Sequence, residues 1–447
     1  MVAGKRSLNA KNLEALGAPA LAQLLVEVSS GNAVIQRRLR LALAAAEGAA
    51  GAAQEVRKRL AAIARATTFV DSRKRKALLT DLEAQLQAIT GPIAEADPTQ
   101  GFQLLVRFLE LADGVIERSS DTTGTLIGVF LQGVESLAAV ASAAALKPGA
   151  LAEQIAELIS GNGYGQFDEL IPTMASALGE QGLTQLQQHF ETIGGPDAGY
   201  ALRQIAEARG DVDAYMAQFD ARTLSRPAVA ADVALHLLEA GRAQDGLAIL
   251  DGAAANVSDW LATEWGDARI AVLEALGRQE DAQQQRWDLF CRSLSAPHLR
   301  DYLKRLDDFS DVEAEERAIE VAEQHPQPLL ALAFLMHWPA LPRAARYVLS
   351  HPNRWDGEAF DVLAPAADRL SSQHPLAAIV LLRSMVVFAL WNGRSKRYRY
   401  AAEHLQTCER LAAEIDDWQG LDSQASFMGR LREAYGRSRS FWQLVER

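Results

Sequence analysis

Glu239-Ala-Gly-Arg-Ala-Gln-Asp-Gly246 returns 36 residues later as Ala275-Leu-Gly-Arg-Gln-Glu-Asp-Ala282. A looser copy, Gly210-Asp-Val-Asp-Ala214, lies 31 residues upstream of Gly241. Val233, Leu237 and Leu238 precede Gly241 at helical spacing, the signature of an amphipathic helix. A glycine at the end of such a run adopts φ > 0 without strain and closes one helix before a turn into the next. The interval is close to the roughly 34-residue tetratricopeptide period.

The same pattern spreads in both directions. Leu78, Leu79, Leu82, Leu86 and Ile89 form another helical stripe, and Ala, Leu, Glu, Gln and Arg dominate throughout; these are strong helix formers. Breaks recur at Gly91-Pro92, Pro98, Lys147-Pro-Gly149, Gly194-Gly-Pro196, Gly210, Gly241 and Gly277. The expected fold is all-α: stacked helical hairpins forming a tetratricopeptide-like α-solenoid, with a basic helical segment at the N-terminus. Composition divides the chain into a basic, aromatic-poor segment (1–92), an apolar middle region (93–195) and a repeat region (196–447). The pairs His325-Pro326, His351-Pro352 and His374-Pro375 read as helix starts.

Charge is unevenly distributed. Residues 1–90 hold 14 Lys/Arg against 7 Asp/Glu, whereas the 447-residue chain as a whole carries a net charge of −12. A basic segment on an acidic body points to an anionic partner, or to docking of one part on the other. The candidate anion-binding patch is Arg37, Arg38, Arg40, Arg57, Lys58, Arg59, Arg73, Lys74, Arg75 and Lys76. Phe69 is the lone aromatic before Phe102, so base stacking gains little support there.

A second candidate is a polar pocket of Asp113, Glu117, Arg118 and Asp121. Helix capping explains these residues; a cation or ligand site, with or without enzyme chemistry, is the sharper reading. No nucleophile–base pair accompanies them, and the first histidine is His189, so catalysis is not expected. The glycines at 161, 163 and 165 lack the strand and the Gly-Lys-Ser/Thr of a phosphate loop and read as a turn. His404 and Cys408 share a helical face. Two ligands are too few for zinc, and two cysteines make no disulfide framework. No cofactor or metal is expected.

Leu126–Leu146 and Leu376–Trp391 are strongly apolar but carry Gln132 and Glu135, and Arg383, respectively. Buried helices fit them better than membrane spans. The N-terminus has no apolar run resembling a secretory signal, and a cytoplasmic location is expected. Phe441, Trp442, Leu444 and Val445 are expected to cap the last hairpin.

Asp113-Gly-Val-Ile-Glu117-Arg118 with Asp121-Thr-Thr-Gly124, the segment Phe69-Val-Asp71-Ser-Arg73, and the ending Arg437-Ser-Arg439-Ser-Phe441-Trp442 together resemble a family of uncharacterised bacterial helical proteins with a domain of unknown function. That resemblance implies no activity, substrate or catalytic residue. From Arg394 onward the chain is also similar to the helical tail of SWIM zinc-finger proteins. Their C-x-C and C-x-H metal motif is missing, so the likeness implies no zinc. The leading expectation is a non-catalytic scaffold for a protein partner, with nucleic-acid or polyanion binding through the basic N-terminal helices as the alternative and a ligand- or metal-binding enzyme at Asp113, Glu117 and Asp121 as the second alternative.

Overall fold

The computed structural model describes residues 8–256 and 262–446. The protein is all-helical; among the described residues the β-pairing is a single parallel bridge between Val70 and Ser119. Cα packing groups the chain into two units that meet between Phe219 and Asp220. The breaks at Gly91-Pro92 and Gly194-Gly195-Pro196 fall inside the first unit. At Gly91 the backbone leaves helical geometry (φ −98°, ψ −109°), and a π-turn over Ile89–Ile93 carries the chain onward.

In the first unit, one core runs from Leu41 to Ile205. Of the basic helices Ala33–Glu47, Ala49–Ala64 and Ser72–Ala88, the first and third start from side-chain caps. Asn32 accepts from the amides of Val34 and Ile35, and Asp71 from those of Arg73 and Lys74, satisfying donors that a helix start leaves open. Thr125–Ala144 is long and apolar enough to cross a membrane by length and composition. Its apolar face lies in this core, where Phe130 packs on Phe108 with ring centroids 5.2 Å apart. The Ala18–Ser29 helix differs: Ser29 is its one buried residue. Leu24, Leu25, Val26 and Val28 are 42, 48, 70 and 61% exposed.

In the second unit, most helices from Pro227–Glu239 onward pack on a chain neighbour, whereas Leu341–Ser350 also packs on Pro375–Trp391, and Arg439–Val445 on Tyr398–Ala412. Three of its turns are built alike. Gly241, Gly277 and Gly393 have φ of 74°, 72° and 57°. Each donates its N–H to the carbonyl three residues back, and the following Arg242, Arg278 and Arg394 donate to the carbonyl five back. Gly210, at the end of the first unit, closes its helix the same way with Asp211. This is the Schellman closure, which depends on a left-handed residue. Gly393-Arg394 is a copy that the sequence repeat did not reveal.

The His-Pro expectation holds at one position of three. Pro375 opens the Pro375–Trp391 helix. After His325-Pro326 the helix begins at Pro328, and after His351-Pro352 it begins at Phe360. A second proline takes the start in the first case. In the second, residues 352–359 are spent bringing Trp355 into the core, where it meets Tyr347 edge-on. Phe441 and Trp442 are buried with Tyr398, Leu405 and Phe427 at the chain end.

Candidate functional site

The polar cluster from Asp113 to Asp121 does not assemble into one pocket. Asp121 is consumed as a helix anchor. Its Oδ1 accepts from the Thr125 amide (3.0 Å) and hydroxyl (3.1 Å), and its Oδ2 from the amides of Leu126 (2.7 Å) and Ile127 (3.2 Å). Burial works against ionisation, but these donors outweigh it and hold the carboxyl below its ordinary value. Glu117 is exposed. Asp113 turns instead to the glycine run fifty residues away: its Oδ1 accepts from Gln166 Nε2 (2.6 Å) and the Gly163 amide (3.3 Å). Gln166 is fully buried and also donates to the Gly161 carbonyl (2.7 Å). The glycine run is thus a turn, latched by Asp113, beside an open cavity of about 770 Å³.

Arg118 joins the other candidate. Its backbone carbonyl accepts from Val70 N–H (2.8 Å), and its Nη1 donates to the Thr68 carbonyl (3.2 Å). Those bonds fix it beside Arg59, and burial together with the Arg59 charge pulls its pKa below the ordinary value. Two adjoining cavities of about 220 and 190 Å³ share Arg37 and Arg59. Arg40 and Lys58 line the first, Lys74 and Arg118 the second. Three helices and one loop therefore bring six cations together.

The carboxylates among them are two. Glu55 pairs with Lys58 at 2.8 Å. Asp81, only 5% exposed, accepts from Arg59 Nε (2.7 Å) and Gln85 Nε2 (3.2 Å) and faces Arg37 Nε at 3.4 Å. Arg37 Nε is itself buried without a hydrogen-bond acceptor. The patch thus keeps a positive excess, which favours an anion. Arg38, Arg57, Arg73 and Lys76 are exposed and lie outside these cavities. Arg75 turns inward, donating to the Ser120 carbonyl (2.9 Å) and lying 3.9 Å from Asp121.

Asp81 and Arg118 are the members the patch reading missed. Asp81 had a signal: it interrupts the apolar stripe between Leu78 and Leu82, where a polar residue implies a buried partner. Arg118 had none pointing to the patch, because a loop pairing delivers it. At the other end of the chain, Cys408 is buried in the core beside half-buried His404. Among the described residues no three His, Cys, Asp or Glu side chains come together as a metal site.

One family model, described as a family of unknown function (DUF6880), matches residues 3–199 and 195–444. No curated protein and no solved structure matches the chain. The likeness to SWIM zinc-finger tails is not among these matches.

Proposed function

The chain belongs to that family of unknown function, and from this premise we propose that it is a non-catalytic binding scaffold, a tetratricopeptide-like α-solenoid that engages a protein partner in the cytoplasm. The repeated glycine closures at Gly241, Gly277 and Gly393 and the packing of helices on their chain neighbours support the solenoid reading. The observation that carries the binding role is the Ala18–Ser29 helix, whose Leu24, Leu25, Val26 and Val28 are exposed among the described residues. Leu24, Leu25 and Val28 share one side of this helix at helical spacing and Val26 lies on another, and a cluster of exposed large apolar side chains supports reading it as an interaction surface. The next helix, Ala33–Glu47, carries Arg37, Arg38 and Arg40, so the complementary partner is an amphipathic helical segment with acidic flanks.

The test uses the full chain as bait in native lysate, at about 0.1 M and about 0.5 M salt, a severalfold change in screening. Nuclease is added in parallel, and a Leu24→Glu/Val28→Glu variant serves as control. A protein captured under all conditions by the native chain and lost with the variant supports the reading. Capture indifferent to the variant overturns it.

A second reading is favoured by a separate observation, the convergence of Arg37, Arg40, Lys58, Arg59, Lys74 and Arg118. On that reading the patch binds a polyanion through phosphate contacts, and capture collapses with salt or nuclease.

A further inference from the structure

The Pro375–Trp391 helix, PLAAIVLLRSMVVFALW, is apolar except for Arg383 and Ser384. Arg383 Nη1 donates to the Asp422 carbonyl (2.8 Å) and Nη2 to Gln424 Oε1 (2.9 Å). The guanidinium also lies over the Phe427 ring (4.5 Å) and the Trp418 ring (5.0 Å). Every one of these partners is neutral. The Asp422 carboxylate acts on Arg383 through space but is paired with Arg430, and Arg383 Nε is buried with no acceptor. A guanidinium has five N–H donors, and a buried charge is normally balanced by an opposite one. Burial accordingly pulls the Arg383 pKa below its ordinary value.

The same arginine lines a cavity of about 470 Å³, within the span of small-ligand pockets. Val387, Phe388 and Phe427 supply apolar wall, and Trp391, also on the lining, is 76% exposed. Gly357, also on the lining, lets its loop lie directly on this helix: a Cβ there would overlap the Ser384 carbonyl oxygen and come within 2.6 Å of Phe388 Cβ. Asp356, Asp422 and Arg430 also line the cavity; with Asp422 paired to Arg430, Arg383 is the cation left for an acidic group, and Asp356 disfavours more than one. We propose that this cavity binds an organic monocarboxylate with an aromatic or apolar body, whose carboxylate balances Arg383 and whose body rests on Phe388, Phe427 and Trp391. Such a carboxylate belongs either to a free acid or to the C-terminus of a peptide.

Calorimetric titration of the full-length protein with 3-phenylpropionate and with 3-phenylpropionamide tests the charge requirement. A hexapeptide ending in phenylalanine, as free acid and as amide, tests the source. Saturable binding by either acid, with its amide at least about tenfold weaker, supports the proposal, and which acid binds identifies the source. Arg383→Gln is expected to weaken binding by a similar factor. Because that variant removes a half-buried charge and can unfold, Val387→Trp provides an independent check. Val387 is partly exposed, so the enlarged side chain fills the cavity while the chain still melts cooperatively, and binding is lost. No saturable binding, equal binding of acid and amide, or unchanged binding by a folded Val387→Trp protein overturns the proposal.

Discussion

Cys408 is wholly buried, and burial pushes its thiol up to about 12. The folded chain therefore keeps this proton over a range where the unfolded chain releases it. Its contribution to stability is constant below the ordinary thiol range and shrinks as pH climbs from about 9 toward 12. Urea midpoints measured at pH 8 and pH 10.5 are expected to differ less in Cys408→Ala than in the native chain. His404, one turn earlier, titrates in the opposite sense: burial lowers its pKa. Its neutral form is favoured by folding, so stability is lost as pH falls from about 6.5, and His404→Gln is expected to flatten that acid limb. Asp81 is the third residue whose burial makes a measurable difference. Replacing it by Asn leaves Arg59 and Arg37 facing each other across a neutral amide. The expected loss is about 3 kcal/mol, read from chemical denaturation, with far-ultraviolet circular dichroism unchanged below the transition. Position 81 borders the stripe through Leu78, Leu82 and Leu86, so its burial had a local signal that the reading of the patch did not use. Its partners were not legible, because Arg37 and Arg59 reach it from two other helices.

Helix boundaries were readable wherever a local rule was sufficient. The glycine closures at 210, 241 and 277 follow from apolar periodicity and one permissive residue, and each is completed by bonds spanning no more than five residues. Ala at Gly277 forces an L side chain to φ 72° and is expected to cost about 1–2 kcal/mol, detected as a lower denaturant midpoint with an unchanged slope. Gly357→Ala acts differently: it drives the 352–359 loop off the Ser384 backbone, and the expected signature is faster proteolysis of that loop. Two of the three His-Pro pairs failed as signals because a proline permits a helix start without requiring one. The residues that follow decide, and Trp355 draws its loop into the core instead. The Asp113 cluster failed for the complementary reason. Capping by Asp121 is local and was legible, whereas the latch from Asp113 to Gly163 and Gln166 joins residues fifty or more apart.

At the scale of the chain, the all-helical class was legible because many windows repeat the same evidence. The division near residue 219 was not, since composition shifts at other places. Each unit has its own core, one running from Leu41 to Ile205 and the others from Ala230 to Trp442. Fragments 8–219 and 220–446 are therefore expected to be helical and to melt cooperatively when produced separately. Circular dichroism with thermal scans checks this, and a featureless melt in either fragment counts against independent folding. The joints at Gly241, Gly277 and Gly393 have a consequence for how such a chain changes over generations. Each is finished by the backbone behind it, so it places no demand on what comes next. Gly241 and Gly277 bracket the helices Ala243–Ala253 and Ala262–Ala275, whereas seven helices separate Gly277 from Gly393; a joint that closes on its own helix leaves the next stretch of chain free to differ in length without disturbing the one before.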